Sequence, residues 1–400
     1  MPKVPCGGAM KVKFGMCIVA HAPLQEQIRL SVLCEKLGYD TLWFPDHLTF
    51  LDQAEGVDAW TVMAAVATQT RKIKLGTAVS DPHRLHPALF AQRAATLDQL
   101  SKGRLIVGLG SGESMNLDAF GIPWKDRKVG RVREFVEVFH GLLRGCAMDH
   151  DGPLYKLKGA RLSVRPYQGR KIPVHLASLG PQMQRLAGQV ADGWKPVVIP
   201  PTHYDGYFSG IRQAALEAGR NPDEIDRGVP FAFALFDGPQ QPTVEQLAAA
   251  VRPYAGALVW EPAIEQMGME WNPPERFRGV GYHTVNPADP ESLRLYEEYC
   301  RWLPDEMLSR FVVAGPAQRI REQVRAYVQA GVTHFEITNA SPDVVSSIVW
   351  FACEVMPEFT GRPPTAFARA MNVLIQPLRK LGLMRRLLPK DLDIWKKVGL

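Results

Sequence analysis

Several features that would point to a definite class of protein are missing from this 400-residue sequence. Its six cysteines (Cys6, Cys17, Cys34, Cys146, Cys300, Cys353) form no C-x-x-C pair and no regular spacing. That argues against a disulfide framework and a zinc site, so no metal is expected and a cytoplasmic, reducing compartment is. No window reaches the apolar length of a membrane span. The first ten residues hold Lys3, two prolines and two glycines without an apolar stretch, so a secretory signal is not expected, and Met10 is an alternative start. A net charge of +6 is modest for this length, and the basic excess sits at the far C-terminus. With no basic face carrying interleaved aromatics elsewhere, no nucleic-acid partner is expected. Glycine-rich nucleotide signatures are absent as well. Glu113 stands where the third glycine of G-x-G-x-x-G belongs, and no Gly-Lys-Ser/Thr follows.

What is present centres on residues 104–116. The apolar run Leu105-Ile106-Val107 breaks into Gly108, Gly110 and Gly112, and is followed by Glu113 and Asn116. The run is too short for a helix and suits a strand buried on both faces. Glycines directly after it let a backbone approach a flat or anionic ligand. The competing reading is a tight strand-to-loop corner.

On either side, strand-like and helix-like segments alternate from Lys11 onward. Strands are expected at 12–19, 41–44, 72–79, 105–109, 172–176, 193–198, 229–235 and 333–337. Helices are expected near 23–37, 58–67, 87–100, 132–143, 181–190, 204–218, 243–254 and 317–330. Residues 144–169 read as a loop, 257–306 as a proline- and aromatic-rich insertion, and 311–314 as a short extended piece. Eight β-then-α units are the number that closes a (β/α)8 TIM barrel, here with insertions and a C-terminal helical tail. A doubly wound sheet is the competitor. Residues 11–340 would form the barrel, with the insertion as a possible lid, and 341–400 a helical extension.

A barrel places its chemistry at strand C-termini. Those positions hold His21, Asp46-His47, Ala78-Val79-Ser80-Asp81, Gly110–Glu113, Ala177-Ser178-Leu179-Gly180, Val197-Val198, Phe236 and Thr338-Asn339. Asp46-His47 sets a carboxylate beside the side chain that titrates nearest neutrality, which suits general acid-base work. The structural reading is that Asp46 caps a turn and His47 packs. Glu113 can hydrogen-bond a ring system or cap a helix. Gly180-Pro181 opens a helix whose free N–H groups would accept an anion, or is an ordinary helix start.

Taken together, Trp43-Phe44-Pro45-Asp46-His47, Leu75-Gly76-Thr77-Ala78-Val79, residues 108–116 and Asp192-Gly193-Trp194 resemble the luciferase-like monooxygenase superfamily. Gly110-Ser111-Gly112-Glu113 with Asn116 is similar to the branch that uses the deazaflavin coenzyme F420. FMN-dependent relatives more often carry an aromatic residue in place of Glu113, and FMN is the alternative cofactor. The resemblance implies a usually dimeric barrel with the deazaflavin across its mouth, acting on a small-molecule substrate. It also implies a non-proline cis peptide at Ala78–Val79 behind the ring. His47 would be the catalytic imidazole, Glu113 would manage a proton at the pyrimidine edge, and Asp46 would orient the imidazole or the ring. Ser111, Gly112, Glu113 and Asn116 would contact the cofactor, and Ala177, Ser178 and Gly180 would hold its ribityl-phosphate. Departures from the sugar-phosphate dehydrogenases of this branch (Leu48-Thr49-Phe50-Leu51, Leu179, Val197) make glucose-6-phosphate an unsuitable substrate. Met267–Glu270, Phe277–Val280 and residues 194–198 look closer to phthiodiolone-type ketoreductases, and distantly like methylenetetrahydromethanopterin reductases. A lid built from Trp260, Trp271, Phe277, Tyr282 and Trp302 would suit an apolar, lipid-like substrate. The tail mixes Leu374, Ile375, Leu378 and Trp395 with Arg379, Lys380, Arg385 and Lys396, a basic amphipathic composition that suits either packing on the barrel or contact with an anionic membrane.

Overall fold

Short strands buried on both faces are what a parallel sheet covered by helices requires. The structure, a computed structural model, arranges them that way. It describes residues 11–380 apart from 19–22, 50–55, 236–242, 253–254, 256–258, 260, 282–283 and 342. The expected positions His21, Phe50, Leu51, Phe236, Trp260 and Tyr282 therefore lie outside the described residues, as does the tail beyond Lys380.

The strands are β1 (Lys13–Cys17), β2 (Thr41–Phe44), β3 (Lys74–Thr77), β4 (Leu105–Leu109), β5 (Met148–Asp151), β6 (Lys156–Ala160), β7 (Val174–Ala177), β8 (Gly193–Lys195), β9 (Asp226–Leu235), β10 (Val313–Gly315) and β11 (His334–Asn339). Parallel pairing runs β9-β11-β1-β2-β3-β4-β7-β8, and β8 pairs back onto β9. Eight parallel strands thus close a (β/α)8 barrel, and the open doubly wound sheet is excluded. Among the described residues, the extended piece β10 pairs only with the upper end of β9, Val313 opposite Phe233 and Gly315 opposite Leu235.

Local chemistry sets the helices. Helix Leu24–Leu37 stops at Gly38, whose φ of 94° lets its N–H reach the Cys34 and Glu35 carbonyls. The Asp58 side chain caps helix Ala59–Gln69 through the Thr61 N–H. Pro87 and Pro181 open helices Pro87–Ser101 and Pro181–Val190. Inside the barrel, Trp43 spans the interior. A Cβ at Gly76 would lie 2.3 Å from its ring and one at Gly15 2.5 Å from it, so both positions need glycine to make room.

Residues 144–169, expected as loop, contain the antiparallel hairpin β5–β6. Its strands, MDHD and KLKGA, have no residue fully buried and no apolar alternation, so periodicity could not announce them. The insertion is helical at Glu261–Gln266, Pro290–Trp302 and Asp305–Ser309. It carries its own apolar cluster around Ile264, Phe277, Tyr299, Leu303 and Leu308, against which Trp271 and Trp302 pack. Beyond β11, helix Val344–Glu354 is buried along most of its length and accepts a 3.0 Å bond from the Tyr39 hydroxyl at Ile348 O. Helix Ala366–Lys380 follows, burying Ala368, Met371 and Ile375 and exposing Val373 and Leu374. Among the described residues no helix is long and apolar enough to cross a membrane.

Candidate active site where β2, β3, β4 and β7 end

Four neighbouring strands of the ring deliver the expected residues to one rim. The β2 extension brings Asp46 and His47, β3 brings Ala78–Val79 and Ser80, β4 brings residues 110–116, and β7 brings Ala177–Gly180. The joints between them are backbone hydrogen bonds: Ala78 N–H to Phe44 O (2.8 Å), Ser80 N–H to Gly108 O (2.9 Å) and Gly110 N–H to Ser80 O (2.8 Å). The Ala78–Val79 peptide is cis, as the resemblance implied. Its neighbours explain two of the three glycines. A Cβ on Gly108 would sit 2.0 Å from Thr77 O, and one on Gly110 would sit 2.8 Å from a Val79 methyl. The same position at Gly110 lies 3.7 Å from the Ala177 methyl, which ties β7 to this rim. Gly112 is glycine for a different reason: its φ of 86° lies in the left-handed region.

Asp46 is buried and its carboxylate is fully engaged. Ser80 Oγ donates to Oδ2 in a short hydrogen bond, and Trp60 Nε1 donates at 3.1 Å. Arg84 donates to Oδ1 at 3.2 Å and to the Asp46 carbonyl at 2.9 Å, while its Nε reaches Asp81 at 2.5 Å. Burial works against the guanidinium's charge, but Asp46 and then Asp81 outweigh it and leave its pKa raised. Asp46, expected to orient the imidazole or the ring, is held in a buried ion-pair network under the rim.

The imidazole of His47 meets Glu113 and Asn116. Its Nδ1 lies 2.6 Å from Asn116 Nδ2 and 3.0 Å from Glu113 Oε1. Asn116 Nδ2 also donates to Glu113 Oε1 at 2.5 Å. The amide cannot be turned over, because its Oδ1 accepts the Leu48 N–H at 2.6 Å. Asn116 lies in one short helix, Ser114–Leu117, with Glu113 at its N-cap, and Met115 of that helix packs against Val285 and Tyr296 of the insertion. The catalytic trio expected from sequence thus separates into a His47–Asn116–Glu113 cluster and an Asp46–Arg84 network.

Two residues were missed. Arg84 is one. His83 is the other: its Nε2 lies 3.0 Å from the Ser111 carbonyl, which fixes the backbone at the glycine turn, and burial lowers its pKa. Both follow β3 in the polar stretch Ser80–His86, and that position just past a strand end is the signal that could have found them. At β7, Ser178 is buried and its Oγ has no hydrogen-bond partner. The next turn opens helix Pro181–Val190 without a side-chain cap, and the space at Gly180 is clear. Among the described residues no group of His, Cys, Asp and Glu could hold a metal ion.

Known proteins are similar to this chain. A 5,10-methylenetetrahydromethanopterin reductase of Archaeoglobus fulgidus is 26% identical over 348 residues, covering 87% of this chain and 99% of that protein. A phthiodiolone/phenolphthiodiolone dimycocerosates ketoreductase of Mycobacterium bovis is 27% identical over 333 residues, covering 76% and 85%. Among solved structures, an F420-dependent secondary alcohol dehydrogenase in complex with an F420-acetone adduct superposes with a TM-score of 0.73 at 25% identity, covering 87% of this chain and 99% of that one. The family model for luciferase-like monooxygenases matches residues 10–334. With its closed eight-stranded barrel and the cis peptide at its rim, this chain belongs to the luciferase-like monooxygenase family.

Proposed function

We propose that this protein is a coenzyme F420-dependent oxidoreductase that moves a hydride between the deazaflavin ring and a carbonyl/alcohol pair or an activated double bond. The observation that carries the reading is the cis Ala78–Val79 peptide set beside the His47–Asn116–Glu113 cluster on one rim. The relatives support it, since methylenetetrahydromethanopterin reductase, ketoreductase and secondary alcohol dehydrogenase all interconvert oxidised and reduced carbon.

The residues fit the cofactor on their own chemistry. Ser178 Oγ is a buried hydroxyl with no protein partner, and the uncapped N–H groups of helix Pro181–Val190 lie next to it, a pairing suited to ribityl and phosphate oxygens. Ala177 and Gly180 would complete that side, Ala78 and Val79 would back the ring, and Ser111, Gly112, Glu113 and Asn116 would line its polar edge. When bound, the deazaflavin supplies a two-electron hydride donor or acceptor and no path for single electrons to oxygen.

The protein's part is to place one proton. Leu48 N–H pins Asn116 Oδ1, so Asn116 Nδ2 turns its two hydrogens to Glu113 Oε1 and His47 Nδ1. Nδ1 is then an acceptor, and the neutral ring carries its proton on Nε2, on the opposite edge. In the reductive direction His47 Nε2–H donates a hydrogen bond to the substrate oxygen while the new C–H bond forms at carbon, and water supplies the proton that completes the alcohol. In the oxidative direction the same Nε2–H holds the forming carbonyl oxygen while water takes the hydroxyl proton. Asp46, neutralised by Arg84, holds the β2 extension still.

The insertion acts as a lid over this rim. Its aromatic cluster of Trp271, Phe277, Tyr299 and Trp302 favours a substrate with an apolar body. The protein works as a homodimer in a reducing cytoplasm, a setting that suits its five free described cysteines. Its tail touches anionic membrane, a reading supported by exposed Val373 and Leu374 leading into the basic segment.

The test is to titrate purified protein with deazaflavin and, separately, with FMN, then to screen ketones, lipids and pterins for re-oxidation of the reduced deazaflavin. Saturable deazaflavin binding with turnover of at least one substrate is the expected result. Tight FMN binding without deazaflavin binding ends the proposal.

A further inference from the structure

A helix of one turn does not hold its own position. Helix Ser114–Leu117 starts at Glu113 without a side-chain cap, and its turn closes through Asp118 N–H to Ser114 O at 2.9 Å. So short a helix is unfavourable in isolation, so contacts from outside decide where its side chains lie. Leu48 N–H supplies one such contact, to Asn116 Oδ1 at 2.6 Å. Met115, the neighbour of Asn116, supplies another: its side chain is fully buried.

The partners of Met115 come from far along the chain. It clusters with Val285 and Tyr296, and Val280 and Cys300 pack against that cluster. Among the described residues, every other member of the cluster belongs to the insertion, so Met115 is held by the insertion and not by the barrel core. Asn286 N–H donates to Ser292 Oγ at 2.9 Å, which joins the turn carrying Val285 to helix Pro290–Trp302. On that helix Tyr296 and Cys300, four residues apart, share one face, the face toward Met115. Tyr299 and Trp302, three apart, belong instead with Phe277 and Trp271 in the aromatic cluster. One helix therefore links the aromatics that favour an apolar substrate body to the residue beside Asn116.

We propose that Met115 is a positioning residue, through which the seated insertion sets the Asn116 amide against His47 and keeps the imidazole proton on Nε2. Asn116 Nδ2 lies 2.6 Å from His47 Nδ1, and a displacement on the order of 1 Å would end that hydrogen bond. Glu113 Oε1, 3.0 Å from Nδ1, would then draw the proton to Nδ1 in part of the molecules. Those rings have no Nε2–H to offer a substrate oxygen. An apolar body that packs on Tyr299 and Trp302 steadies helix Pro290–Trp302, so its binding energy raises the rate as well as the affinity. This deepens the hydride-transfer reading and rests on it.

The experiment reads the ring nitrogens of His47 by NMR in protein made with isotope-labelled histidine, the signals being identified by their absence in His47→Ala. In the wild type Nδ1 should resonate as an unprotonated nitrogen and Nε2 as a protonated one. In Met115→Ala, and in Val285→Ala on the insertion side, both should move toward the average of the two tautomers. Met115→Leu, which conserves volume, should keep the wild-type signals. Val285→Ala leaves helix Ser114–Leu117 unaltered and decides the question even where Met115→Ala does not fold. On the deazaflavin-loaded wild type, a long-chain methyl ketone should be reduced with a kcat about tenfold above that for acetone. In Met115→Ala the two kcat values should lie within about twofold, while the long chain keeps its lower KM. Unmoved His47 signals in Val285→Ala, or a kcat advantage that survives in Met115→Ala, overturn the inference and leave the hydride-transfer reading standing. Failure to bind deazaflavin at all overturns both.

Discussion

Arg84 is the residue whose removal best tests how the rim is held. In Arg84→Met the stem is kept and the guanidinium is lost, along with its contacts to Asp46 at 3.2 and 2.9 Å and to Asp81 at 2.5 Å. Two carboxylates, on residues 7% and 8% exposed, are then left without a countercharge. Breaking a buried pair from one side costs about 3–5 kcal/mol. Ser80 and Trp60 still donate to Asp46, which places the expectation near the low end, about 3 kcal/mol. Asp46→Asn is milder, because Arg84 keeps Asp81, and should cost about 1–2 kcal/mol. In the double variant the uncompensated anion at position 46 is gone. Its loss should stay about 2 kcal/mol below the sum of the singles. Urea unfolding followed by tryptophan fluorescence at neutral pH measures all three, and a deazaflavin titration of each reports whether the rim keeps its shape. A loss below about 1 kcal/mol in Arg84→Met, or strict additivity in the double variant, would refute the account of Asp46 as a buried, Arg-neutralised strut.

Three further outcomes follow from the same geometry. Gly110→Ala drives a methyl to 2.8 Å from Val79 and should destabilise by about 1–3 kcal/mol while weakening deazaflavin binding, read by fluorescence titration. Retained affinity would mean that the ring does not rest on this rim. His47→Ala should lower single-turnover hydride transfer to a ketone by roughly 10²–10⁴-fold with deazaflavin affinity intact; unchanged transfer would remove the imidazole from the reaction. Acid stability should be set in part by His175, whose imidazole burial pushes down to about 3. Its folded pKa lies below the unfolded value of about 6.5, so its stabilising contribution is complete above that pH and is lost as pH falls toward the folded value. The loss between pH 6.5 and 5 should be about 2 kcal/mol. His83 and His140, also depressed by burial, act in the same direction. His175→Gln should flatten the slope of urea-unfolding stability in that window, and an unchanged slope would place the titration elsewhere.

How much of this was legible beforehand depended on whether the determining interaction was local. The barrel was, since each strand is a short doubly buried run followed by an amphipathic helix, and that pattern lies within a few tens of residues. The gathering of Asp46, His47, Ala78, Glu113 and Ala177 followed from it, because parallel closure puts every strand end on one side. Reading Gly108 and Gly110 as room for a ligand leaves out a nearer cause: the atoms that forbid a Cβ there are Thr77 O and the Val79 methyl of the neighbouring strand. Arg84 was not legible, because a guanidinium in a polar loop carries no period and its partner Asp46 is 38 residues upstream. Neither was the close ion pair of Lys195 on β8 with Glu336 on β11, which joins residues 141 apart.

That pair shows where reading a sequence for polarity fails. A lysine after Gly193-Trp194 and a glutamate between Phe335 and Ile337 look like solvated positions on strands with one wet face. In a closed ring of eight strands, however, the face opposite the helices is the barrel interior. The alternation that marks Phe335 and Ile337 as helix-facing therefore sends Glu336 inward, toward Trp43 and Lys195. Once closure is established, a charged residue at an interior register position cannot be a solvated one. It is neutralised by a partner, as Glu336 is by Lys195.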